Sequence, residues 1–161
     1  MAPAGPALAG AVSPAPEAAT ASGADLDPQA REAFLAALAA LSDNEEAFTE
    51  SLYERFFALR PDAAELFGEY SISEREEMVR ETFRCLLAWL EGEPWLETNL
   101  RALGQSHAEY GVEGDMYPPF VEALIASAHA VSGESLDASA LALLREAAEA
   151  VVSTMRAAGE A

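Results

Sequence analysis

The stretch LETNLRALGQSHAEYG, residues 96–111, decides how the rest of the chain is read. Leu96, Leu100 and Leu103 recur at steps of four and three, the period of one helix face. His107 lies four residues beyond Leu103 and seven beyond Leu100. It therefore continues the apolar stripe, and its imidazole faces inward. Gly111 marks the stop.

The same period runs outward in both directions. Asp27-Pro28 starts a helix with Phe34, Leu35 and Leu38 behind it. Ser42 or Asp43 caps a second, which carries Phe48, Leu52, Phe56 and Leu59 on one stripe and ends near Arg60-Pro61. Asp62 to Phe67 reads as a short helical turn. Ser71 or Ser73 opens a segment with Met78, Val79, Phe83, Leu86 and Leu90, closed by Gly92 and Pro94. Tyr117-Pro118-Pro119 introduces a helix that runs to Gly133, and Asp137 caps a last one with Leu141, Leu144, Ala148, Val151 and Met155. Two-residue alternation is absent. The expectation is an all-α domain over residues 25–161 with six to eight helices. Abrupt joints at Pro61, Pro94 and Pro118-Pro119 argue against an up-and-down four-helix bundle. Residues 1–24 are almost wholly small side chains and proline, the composition of a flexible tail.

Charge removes several function classes. The 161-residue chain has 28 acidic residues against nine basic ones, all Arg, for a net charge of -19. Such a surface lacks the clustered cations that a nucleic acid or an anionic membrane requires. Acidic residues recur along the whole chain, so self-repulsion is spread over every helix and should ease as salt screens it. That pattern suits a salty cytoplasm. The single cysteine, Cys85, excludes an internal disulfide and any multi-thiolate metal site. No apolar run approaches the roughly 20 residues of a bilayer-spanning helix, and the N-terminal stretch has neither Arg nor Lys to begin a signal peptide. A soluble, cytoplasmic protein is expected.

Few residues remain that could carry chemistry. His129 sits at the edge of its helix's apolar arc and reads as half-exposed. An inward His107 admits two readings. One is a core imidazole satisfied by a backbone carbonyl, and the other is a single axial ligand to haem iron. A three-ligand zinc site would need His129 and a carboxylate that no spacing brings together. There is no nucleophile elbow, GxxxxGK[ST] loop or HExxH. Cys85, between Phe83 and Leu86, reads as an inert core thiol.

Three pieces in fixed order then resemble the globins, most of all the single-domain bacterial globins and the haem domain of flavohaemoglobins. They are Ser51-Leu-Tyr-Glu-Arg-Phe-Phe-Ala-Leu-Arg-Pro61 with Glu65-Leu-Phe67, then Leu100-Arg-Ala-Leu-Gly-Gln-Ser-His-Ala-Glu-Tyr-Gly-Val112, then Tyr117-Pro-Pro-Phe-Val-Glu-Ala-Leu124. The resemblance implies a globin-like fold holding haem b. It assigns His107 to the proximal iron ligand and Phe67 to the aromatic packed on the porphyrin. Leu103 and Phe120 would line the pocket, and Tyr117 would organise the proximal side by hydrogen bonding. Tyr53 falls on the distal tyrosine, whose phenol can donate to bound dioxygen. Tyr117 as a plain helix-start aromatic and Tyr53 as a boundary tyrosine remain the alternatives.

The distal helix departs from the family pattern. Counting back from His107 places Arg75 where relatives carry His or Gln, Val79 one turn later above the iron, and Phe83 beyond it. Arg75 could reach a haem propionate, donate toward a bound anion, or point to solvent. The other register puts Glu77 and Glu81 over the haem, and is set aside because two carboxylates would stand unpaired in a dry pocket. By resemblance the chain binds O2, NO or CO at a pentacoordinate ferrous iron, as a monomer or homodimer. Two alternatives are a nitric oxide dioxygenase fed by a separate reductase, and a haem-based sensor or interaction domain.

Overall fold

A computed structural model describes residues 22–67 and 72–161. Seven α-helices carry the described residues, which contain no strand: α1 Pro28–Asp43, α2 Glu45–Leu59, α3 Ala64–Phe67, α4 Ile72–Glu91, α5 Leu96–Glu109, α6 Tyr117–Ser132 and α7 Ala138–Gly159. This is the all-α architecture that the spacing predicts. The tail assignment for residues 1–21 and the Ser71 cap lie outside the described residues. Ser22 to Ala24, placed in the tail by composition, instead enter a 3-10 turn over Gly23–Asp25. Gly23 is buried there.

Local chemistry accounts for most helix ends. The Asp27 and Asp137 carboxylates accept from the amides of Ala30 and Ala140, each capping a first turn that would otherwise leave donors unpaired. The start of α2 differs from expectation. Asn44, not Ser42 or Asp43, is the boundary residue, and α1 runs on through both of the others. The Asn44 amide nitrogen donates 2.8 Å back to the Ala40 carbonyl, so it serves the end of α1 and leaves α2 without a side-chain cap. After α5, Gly111 takes a φ of +104°, which a side-chain-bearing residue rarely adopts.

Helix α5 packs along α7, and α2 along α6. Helix α4 touches α1, α2 and α7. Phe34, Leu41, Phe48, Leu52, Leu86, Leu90, Leu124 and Leu144 are fully buried between them. Each such side chain contributes on the order of 1.5–3 kcal/mol. Arg31 ties α1 to the end of α4: it pairs with Glu91 at 2.6 Å and donates to the Leu90 carbonyl at 3.4 Å. A cation there also meets the negative end of the α4 dipole.

The α5–α7 contact is unusually close. A Cβ built on Gly104 would collide with the Met155 backbone carbonyl, and one on Gly159 would lie 3.0 Å from the Gly104 carbonyl oxygen. Glycine at 104 lets the two backbones touch. That touch fixes the height of His107, three residues further along α5.

Candidate functional site

The helices leave a cleft between α4 and α5, floored by α2, α6 and α7 and flanked by α3. Its cavity volume is about 190 Å³, and its walls are mainly apolar.

His107 enters from α5. Its Nδ1 lies 2.7 Å from the Leu103 carbonyl oxygen, one turn back. A carbonyl only accepts, so Nδ1 carries the proton and donates. Nε2 is then left with its lone pair. Burial lowers the His107 pKa, and the bond to Leu103 opposes this without cancelling it. The imidazole is therefore neutral near pH 7, as a metal ligand must be. The core-imidazole reading and the ligand reading both require this carbonyl bond, but only the second uses the other nitrogen. No group of three or more His, Cys, Asp or Glu among the described residues could hold a metal ion by itself. His129, read from the sequence as half-exposed, is exposed on α6.

Tyr53 faces the cleft from α2 and is 4% exposed. Burial pushes its phenol well above the usual tyrosine range, while the Arg75 guanidinium pulls the other way. The phenol stays protonated and is an O–H donor. Phe67 meets the Tyr53 ring edge-on at 5.1 Å and also faces the cleft. Leu103, Tyr117 and Phe120 complete the set of expected residues that the fold brings to the same walls. The Tyr117 phenol is also raised by burial.

Val79 and Phe83 are not among the lining residues. Both are buried on another face of α4, where Phe83 packs on Phe48 with ring centroids 5.4 Å apart. The cleft face of α4 is Met78, Glu81, Thr82, Cys85 and Leu86. Helix α4 lies between the cleft and the α1–α2 core, so it carries two apolar stripes, and the sequence does not say which one faces the empty space. Arg75 lies off the cleft wall, with its guanidinium carbon 5.6 Å from the Tyr53 ring centroid, 5.5 Å from Phe57 and 5.8 Å from Phe67.

Glu81 corrects a physical premise. A carboxylate on this wall was expected to stand unpaired, yet Asn99 Nδ2 donates to it at 3.1 Å, and Arg84 Nε lies 3.4 Å from its other oxygen. Glu77, its partner in the discarded register, is exposed. The Cys85 thiol donates to Glu81 at 3.6 Å, and burial, reinforced by that carboxylate, pushes its pKa up to about 12. Cys85 is therefore a protonated, unreactive thiol, buried in the core as expected, and it also borders the cleft. The roles of Asn99 and Met78 at the site were missed. Their signals are a lone amide and a flexible thioether on helix faces that the apolar pattern leaves ambiguous.

No described helix is long and apolar enough to cross a membrane. The sequence matches no protein-family model and no curated protein. Among solved structures the fold is similar to that of PA3967 from Pseudomonas aeruginosa PAO1, a protein described as structurally highly homologous to a human hemoglobin. The TM-score is 0.70 at 18% sequence identity, over 80% of this chain and 97% of that one. The chain has a globin-like fold, all-α with seven helices among the described residues.

Proposed function

We propose that this protein binds haem b in the α4–α5 cleft, with His107 as the axial ligand, and that it reversibly binds a diatomic gas. One observation carries the reading: a neutral imidazole, fixed through Nδ1 to the Leu103 carbonyl, borders an apolar cleft with its second nitrogen unused. Such a carbonyl bond sets the tautomer and the ring orientation of a ligating histidine. Phe67, Leu103, Tyr117 and Phe120 would hold the macrocycle by apolar contact. Haem, once bound, supplies a ferrous centre for O2, NO or CO; the chain's residues tune that chemistry.

On the opposing side Tyr53 offers a hydrogen bond that exists only while a gas ligand is present to accept it. The apolar walls exclude water, which keeps the phenol protonated and the imidazole neutral. A soluble, cytoplasmic location suits the reading. The same Tyr53 donor favours a second reading, nitric oxide dioxygenation with electrons from a separate reductase. Sustained consumption of nitric oxide in air with an added reductase distinguishes it from simple gas binding.

The test is His107→Ala. Purified protein reconstituted with haem should lose its stable ferric and ferrous spectra, and added imidazole should restore them in part. Unchanged haem content and unchanged spectra in the variant would remove His107 from the metal.

A further inference from the structure

A second cavity lies between the end of α5, the loop before α6 and the end of α7. Its volume is about 290 Å³, close to the lower limit of about 300 Å³ for pockets that hold drug-sized ligands, so it admits a guest of amino-acid size. Gly104, Gly114 and Gly159 border it, and no side chain narrows it at those three points. At position 114 glycine is required. A Cβ there would run into Glu160 Oε2 and stand 2.8 Å from Arg156 Nε. The loop backbone is thus seated against the Arg156–Glu160 ion pair, whose Nε and Oε2 are 3.2 Å apart.

That pair is only half used. Arg156 donates to Glu160 through Nε, and its two terminal nitrogens make no hydrogen bond among the described residues. Glu160 keeps its second oxygen as an acceptor. Tyr117 is 8% exposed and borders both this cavity and the α4–α5 cleft, yet its phenol has no hydrogen-bond partner among the described residues. Burial raises its pKa, so the phenol is a neutral O–H donor. Glu113, the other charged residue on the wall, is answered by Arg60 at 3.1 Å. What remains is one fixed cation and one fixed anion, each with spare hydrogen-bonding capacity. A purely anionic guest would meet Glu160, and a purely cationic one would meet Arg156. A guest that carries both signs satisfies both residues, and the ion pair already holds them in place, which lowers the ordering cost of binding.

We propose that this second cavity binds a small zwitterion of the free α-amino acid class. The terminal nitrogens of Arg156 take the carboxylate, with Tyr117 as a further donor, and the free oxygen of Glu160 takes the ammonium. The occupant would stand against Val112 and Tyr117, which also wall the cleft. The site is built without haem, so it does not depend on the cofactor reading.

L-alanine and L-leucine are titrated into the full chain as purified by isothermal calorimetry. Propionate and ethylammonium serve as probes that each lack one of the two charges. The parent should bind one amino acid per chain with a Kd of about 1 mM or tighter, and each single-charge probe about tenfold more weakly. Glu160→Gln should weaken the amino acids about tenfold and strengthen propionate, because the repelling carboxylate is gone. Arg156→Gln should weaken the amino acids as much and strengthen ethylammonium. These opposite shifts set the proposal apart from structural damage, which weakens every probe together. No saturable heat with either amino acid in the parent would overturn it. So would propionate binding as tightly as L-alanine, which makes the cavity a plain anion site, or amino-acid affinities unchanged in both variants. If one variant fails to fold, the other decides alone. Haem content is read separately from the absorption spectrum, so failure here is distinct from failure of the haem reading.

Discussion

Replacing Gly104 by Ala tests the contact that positions His107. In an exposed helix interior this change favours the helix by about 1 kcal/mol, because alanine loses less backbone entropy than glycine. Here the added methyl would run into the Met155 carbonyl oxygen, with the Met155 carbonyl carbon and Cα each 2.8 Å away. All three obstacles are backbone, which cannot rotate aside as a side chain can. Helices α5 and α7 must separate, at an overpacking cost of about 3 kcal/mol, the upper end of the usual range. The net effect is destabilisation by about 2 kcal/mol, opposite in sign to what propensity alone predicts. For a domain of this size that lowers Tm by about 6 °C. Thermal unfolding followed by circular dichroism measures it, with Gln105→Ala on the exposed face of α5 as control. A Gly104→Ala protein as stable as the parent, or more so, would refute the close approach and with it the placement of His107.

Two further outcomes can be checked. Tyr53→Phe removes one buried donor from the cleft, so dioxygen should leave the ferrous protein about 2- to 10-fold faster by stopped-flow absorption; a parental release rate would place the phenol away from the ligand. The depressed His107 pKa means that the unfolded chain binds a proton near pH 6.5 that the folded chain does not. Its contribution to stability is therefore whole above that pH and falls as pH drops below it toward the lowered folded value. Denaturant unfolding of haem-free protein between pH 7.5 and about 5 should show that loss in the parent and not in His107→Leu. Parallel pH profiles would mean that His107 titrates alike in both states.

The parts of the site that lie within one helix turn were legible in the sequence. His107 faces inward because Leu100 and Leu103 fix the phase of a short helix with one apolar stripe. Asp27 and Asp137 are capping residues because their carboxylates act on amides three residues away. Helix α4 was not legible in the same way. It is buried on two faces, so hydrophobicity could not separate the Val79–Phe83 stripe, which packs on α2, from the Met78–Thr82 stripe, which borders the cleft. The notion that a carboxylate there would go unpaired failed because Asn99, which satisfies Glu81, is 18 residues distant and on another helix.

By itself the sequence determined the helical class, most of the joints, the acidic surface and the inward imidazole, since each depends on spacing or composition within a few residues. Only the tertiary structure decided which face of α4 meets the cleft, that Glu81 has a partner, and that Arg75 stands over three rings with its Nε unused. Those outcomes depend on how separate helices are clamped together. Periodicity fixes a side chain's direction about its own axis and says nothing of what stands opposite.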